Sequence, residues 1–178
     1  MCLIDSVLSK EVMIISKKFL LLLPFLALIL LTILGAFPLA NQDFDGLFTM
    51  NVPIGNHYSD VAYCLPNGCL GCAKEYWAEN TGCEIDGKEI VIYYYNDSGL
   101  VDGESNVWQH VKNSLTTSYL YNVTQDDGDL LILTNNLGMK NVPQYLVGVS
   151  NNDGSEAVFV GGFYLENLKA CAGSVVFE

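Results

Sequence analysis

The chain has 178 residues, of which 51% are apolar and 16% charged, with a formal net charge of −12. Its 8 Phe, 10 Tyr and 2 Trp, set in so apolar a chain, exclude the disordered, collagen-like and low-complexity classes. The 8 basic residues are all Lys, too few for a basic surface, and nucleic acid is excluded as a partner.

Residues 1–18 are expected to be a cytoplasmic N-terminus, of which 1–12 hold no recognisable element; Met13 is an alternative start, from which MIISKKFLLLLPF reads as a positive-then-apolar leader. Phe19 to Ala40 then reads FLLLLPFLALILLTILGAFPLA, without one charge. A helix of that length rises about 33 Å, enough to cross a hydrocarbon core of ~30 Å. A soluble core helix would keep a polar face, and this run has none. Residues 19–40 are therefore expected to form a transmembrane helix whose partner is the lipid bilayer. Lys17 and Lys18 precede it and Asp43 and Asp45 follow it. The positive-inside rule then puts residues 41–178 outside the cell membrane. The alternative is a leader cleaved after Ala40, giving a secreted domain. Pro38 at the −3 position fits the small-residue cleavage pattern badly.

The outer part has its own arithmetic. Residues 41–178 hold 62 apolar residues, an ordinary globular share, and 18 acidic residues against 5 Lys. The net negative charge of the chain is expected to lie wholly outside. It keeps the domain soluble, and it would attract a basic or cation-rich partner.

In chain order, 41–46 reads as a linker and 47–178 as the domain, with a Cys-rich insertion at 54–84. LFTMNVP (47–53) alternates and stops at Pro53, as a strand does. Residues 54–84 look irregular. EIVIYYYN (89–96) is the strongest strand, rich in β-branched and aromatic residues. Asp102 is placed to cap a helix starting near Glu104, with Val107, Trp108, Val111 and Leu115 as its apolar stripe. YLYNVTQ and DLLILTN form a hairpin through Asp126-Asp127-Gly128, and QYLVGVS and EAVFVGGF a second through Asn151-Asn152-Asp153-Gly154. Leu165, Leu168 and Ala172 mark a short helix stopped by Gly173. SVVFE closes the chain as an edge or returning strand. The expected class is α+β: a mostly antiparallel sheet with two amphipathic helices, preceded by one transmembrane helix.

The motifs L-F-T-M-N-V-P-I-G, D-D-G-D-L-L-I-L and the closing L-K-A-C-A-G-S-V-V-F, in this order, resemble those of small membrane-anchored PsbP/Mog1-like domains. The resemblance spans most of 47–178. It implies a binding or assembly module and carries no shared catalytic residues. The insertion at 54–84 departs from it.

Cys64, Cys69, Cys72 and Cys83 are spaced C-x4-C-x2-C-x10-C. Outside the membrane thiols are oxidised, so two disulfides are the plain reading, with three pairings open. Four thiolates also satisfy tetrahedral zinc, which makes zinc the alternative cofactor. The third reading is redox. C-L-G-C at 69–72 precedes AKEYWAE, a short helix candidate. The tail from Val142-Pro143 onward resembles the C-terminal half of the thioredoxin fold. That resemblance implies a cis-Pro143 facing the pair, Cys69 as attacking thiolate at a helix N-terminus, and Cys72 as resolving thiol. Cys171 is expected to be a buried free thiol, and Cys2 incidental.

His57 and His110 have no neighbour in sequence that suggests a triad. The Asp126–Asp129 and Asn151–Gly154 runs lack the late Glu of a calcium loop and read as turns. Asn96-Asp97-Ser98 and Asn122-Val123-Thr124 match the glycan acceptor pattern. In the tyrosine run 93–95 at least one ring is expected to be exposed.

The leading expectation is a single-pass anchored extracytoplasmic module that binds an unidentified outer protein and catalyses nothing. The first alternative is an anchored thiol–disulfide oxidoreductase using Cys69 and Cys72, and the second is a structural zinc module.

Overall fold

The computed structural model describes residues 38–60, 72–79, 90–97, 106–117, 121–136 and 142–178. Among them the strands are β1 (Leu39–Phe44), β2 (Phe48–Pro53), β3 (Tyr58–Asp60), β4 (Lys74–Ala78), β5 (Val91–Tyr95), β6 (Tyr121–Asp126), β7 (Leu130–Asn135), β8 (Tyr145–Ser150), β9 (Ala157–Gly162) and β10 (Val176–Phe177). Helix α1 spans Val107–Thr117 and α2 spans Leu165–Ala172. Strands β3-β4-β5-β9-β8-β7-β6 form one sheet, and β1-β2-β10 a second. Every pairing is antiparallel.

The fold class is a correction. Strand accounts for 49% of the described residues and helix for 19%, so the domain is β-rich and not a balanced α+β fold. Three strands lie where none was expected. Leu39 and Ala40, counted into the apolar span, and residues 41–44, counted as linker, together make β1. The reason is a tight turn: Asp45 and Gly46 both have positive φ, 59° and 67°, and Leu47 N–H donates to Phe44 O at 3.1 Å. An Asp-Gly pair of this kind folds β1 back onto β2. The other two strands, β3 and β4, lie in the supposedly irregular insertion. As for the expected transmembrane helix, no helix among the described residues is long and apolar enough to cross a membrane. Residues 19–37 of that span lie outside the described residues.

The central strands of the large sheet are buried on both faces. On one face it meets Phe44, Phe48, Met50 and Val52 of the small sheet and Leu168 and Cys171 of α2. Phe44 and Phe48 stack at 4.7 Å, and Phe48 stacks on Tyr94 at 5.7 Å. On the other face Val107, Trp108, Val111 and Leu115 of α1 cover Leu131, Leu133, Leu146 and Phe159. This is the stripe that the helical spacing predicts. Each fully buried Phe or Leu contributes about 1.5–3 kcal/mol. Strand alternation sends Tyr94 to the first face and Tyr95 to the second, and both are buried. Tyr93 is partly buried, so no ring of the three is fully exposed. The N-cap of α1 is Asn106, whose Oδ1 accepts from Gln109 N–H at 2.8 Å. The Asp102 and Glu104 positions lie outside the described residues.

Candidate functional site

Register gives the domain two unlike ends. The near end is where the chain enters at Pro38. Ile54 N–H donates to Pro38 O there at 2.9 Å. The pairs Tyr58↔Ala78, Trp77↔Val91 and Val91↔Gly161 carry that end across the large sheet. The far end holds the β1–β2 turn and the tips of the two long hairpins. Ser150 N–H reaches Asp129 O at 3.3 Å, so the two tips are neighbours.

Far-end loops are built by side chains. Trp108 ties both tips to α1: its backbone N–H donates to Gly154 O at 3.0 Å and its Nε1 to Gly128 O at 2.6 Å. Gly128 and Gly154 both have positive φ, which favours glycine there. Asp153 Oδ1 accepts from Ser155 N–H at 3.0 Å and from its hydroxyl at 2.6 Å. These bonds hold the Asp153 carboxyl below its ordinary pKa. Tyr94 O–H donates to Glu156, and Asn151 Oδ1 accepts from Glu156 N–H at 3.1 Å. The tips are thus hydrogen-bonded turns, as their composition suggests. Among the described residues, no group of three or more His, Cys, Asp or Glu could hold a metal.

The far end is acidic. It carries Asp45, Asp126, Asp127, Asp129, Asp153 and Glu156. Lys74 reaches Asp45 at 2.6 Å, and Lys112 reaches Asp126 at 2.6 Å. Both carboxyls are held below their ordinary pKa, mainly by the lysine hydrogen bond. Asp127, Asp129 and Asp153 add negative charge that these lysines do not pair. Beside the tips lies an open cleft of about 420 Å³, lined by Val149, Asn151, Asn152, Gly173, Val175 and Phe177 among others.

The cysteines divide. Cys72 is disulfide-bonded and partly buried, against the α1-side core at the start of β4. Its bonding partner, and Cys64, Cys69 and Cys83, lie outside the described residues. A sulfur engaged in a disulfide is not a thiolate ligand, so Cys72 in this state does not fit the zinc set. The redox reading also needs a helix directly after Cys72. AKEYWAE instead supplies β4, and Ala73, just before it, donates its N–H to Tyr94 O at 2.8 Å. Tyr76 and Ala78 join the core on one face, while Glu75 and Trp77 are buried on the other. A strand buried on both faces shows no alternation, which is why it resembles a short helix. Pro143 lies in a buried loop without the cis bond that the redox reading expects, since every described peptide bond is trans. Its carbonyl accepts from Tyr121 O–H at 3.3 Å.

The other candidates are placed as follows. Cys171 is a free thiol on α2, fully buried, with its pKa pushed up to about 12 by burial. Asn96 follows β5 and is partly buried. Asn122 is exposed on the edge strand β6, and its amide donates to Asn136. His57, expected to stand apart from carboxylates, lies 3.9 Å from Glu79 at an exposed site. His110 lies on α1.

One residue escaped the sequence reading. Glu75 is only 5% exposed, on β4 opposite Tyr93. Trp77 Nε1 donates to its Oε1 at 2.6 Å, while Oε2 has no hydrogen-bond partner among the described residues. Burial raises its pKa above the ordinary 4.5. Its charge in turn helps to raise Tyr93 and Tyr95, whose main cause is burial.

Comparison with family models, curated proteins and solved structures returns no match to this chain.

Proposed function

We propose that this chain is a membrane-anchored extracytoplasmic binding or assembly module, tethered through its apolar N-terminal run and presenting the acidic far end to a basic protein partner. The observation that carries this reading is the disulfide at Cys72. Structural disulfides persist in oxidising compartments, and they pin segments that lack a core of their own. The uncharged run ahead of Pro38 supplies the tether. The far-end tips supply a preorganised surface, with carboxylates fixed by their own hydrogen bonds rather than by a ligand. The PsbP/Mog1-like resemblance points to the same class of function.

Cell fractionation joined to thiol mapping tests this. The chain is expected to stay with membranes after an alkaline wash, with its domain open to an external protease. Cys64, Cys69, Cys72 and Cys83 are expected to resist alkylation until a strong reductant is added. Thiols released by a chelator would establish the zinc reading instead. A labile Cys69–Cys72 bond with turnover of a model disulfide would establish the exchange reading.

A further inference from the structure

We infer that the near end of the domain is a lipid-contacting foot, with Ile54, Phe163 and Tyr164 set in the headgroup layer of the bilayer. This rests on the anchored reading above. These three large side chains are 60%, 38% and 49% exposed. Their shared location follows from the backbone. Ile54 is bonded to Pro38, the first described residue, and the residues just before it in sequence belong to the uncharged apolar run. His57, three residues on from Ile54, pairs its carbonyl with Glu79 N–H at 2.9 Å. From there the register runs through Ala78 and Val91 to Gly161, one residue before the end of β9. Phe163 and Tyr164 follow directly after that end.

Charge decides the occupant. The near end is less acidic among the described residues: Glu166 faces Lys169 at 3.1 Å, and Glu79 stands beside the His57 imidazole at 3.9 Å. Asp127, Asp129 and Asp153, which no lysine among the described residues reaches, gather at the far end. An anionic lipid surface repels that end and tolerates the other. The side chains also suit the layer, since an exposed Ile offers apolar surface and Tyr places its ring and hydroxyl at headgroup level. With the foot on the bilayer, the cleft and the Cys72 staple point outward.

The test uses the full chain in vesicles of phosphatidylcholine and phosphatidylglycerol. Benzoylphenylalanine replaces Ile54, Phe163 or Tyr164, or Asp127 at the far end, and adducts are weighed after irradiation. Alkaline extraction is measured on the same samples. Lipid adducts at the three near-end positions, and none at 127, are the expected result. If the chain resists alkali yet the near-end positions capture no lipid, or capture only protein, the foot is overturned while anchoring stands. Equal lipid capture at both ends overturns it as well. Release of the chain by alkali overturns the anchored reading, and the foot with it. All three near-end positions are exposed, so the replacements leave the core untouched, and any one that folds suffices.

Discussion

Trp77 is the hydrogen-bond donor that the described structure gives to the buried carboxyl of Glu75: Nε1 lies 2.6 Å from Oε1, and Oε2 is left without a partner. Burial penalises the charged form and raises the folded pKa above 4.5. The unfolded chain therefore loses this proton first. Stability is fully present below the unfolded pKa, falls as pH rises through the folded pKa, and is level above it. Glu75→Gln keeps an acceptor for Trp77 and removes the charge. We expect it to raise stability at pH 7 by about 1 kcal/mol, the low end of what an unpartnered buried acceptor costs, and to change nothing at pH 4. Urea melts of both proteins at the two pH values check this. Equal midpoint shifts at both would show that charge is not the cause.

Much of the strand layout was legible, and the failures have physical causes. The hairpins β6–β7 and β8–β9 were readable because apolar runs flank Asp-Gly turns, and α1 because its apolar residues recur every turn. Strand β1 was missed although Phe44-Asp45-Gly46-Leu47 carries the same turn signal, because Leu39 and Ala40 merge with the apolar run before them. Strand β4 was missed because both of its faces are buried. Glu75 could not be found at all. Beside Lys74 it looks like surface, and only the sheet position buries it. Of the candidate site, Cys72 is disulfide-bonded, and the other three cysteines of the cluster lie outside the described residues.

Gln42 closes the exposed edge of β3. Its Oε1 accepts from Tyr58 N–H at 3.2 Å, and its Nε2 donates to Tyr58 O at 2.8 Å. The side-chain amide thus replaces a neighbouring strand and joins the two sheets. Gln42→Ala is expected to cost about 1–2 kcal/mol, the scale of two partly buried hydrogen bonds. It also bares an edge that other strands can pair with, so aggregation on heating should increase. Asn41→Ala, which removes a 3.4 Å contact to Asn51 at an exposed site, should stay within about 0.5 kcal/mol of the parent. Similar losses in calorimetry for both would deny Gln42 this role.

Gly148 is required by Phe159. A Cβ at position 148 would lie 2.3 Å from a Phe159 ring carbon, on the face that α1 covers. That ring is held edge-on by Tyr95 at 5.7 Å and tilted by Trp108 at 5.6 Å, so it has little room to yield. Gly148→Ala should therefore cost about 2–3 kcal/mol by overpacking. Adding Phe159→Leu shortens the obstructing side chain, and the double variant should recover part of the loss beyond additivity. A double-variant cycle on urea midpoints reads the coupling. Strict additivity would place the strain elsewhere.

The far end depends on Trp108, which holds Gly128 through Nε1 and Gly154 through its backbone N–H. Trp108→Phe keeps the backbone bond and an aromatic ring against Phe159, and it deletes the bond to Gly128 O together with part of a buried indole. The cost should be about 2–3 kcal/mol, one partly buried hydrogen bond plus lost core volume. Its distribution matters more than its size. Hydrogen exchange should speed up at 127–130, in the β6–β7 tip, and stay near parental values at 151–156. Binding of a basic partner should weaken if it uses the β6–β7 carboxylates, because a loosened tip must be ordered again on association. Faster exchange over the whole of α1 instead would mean that the indole supports the helix and not the tip.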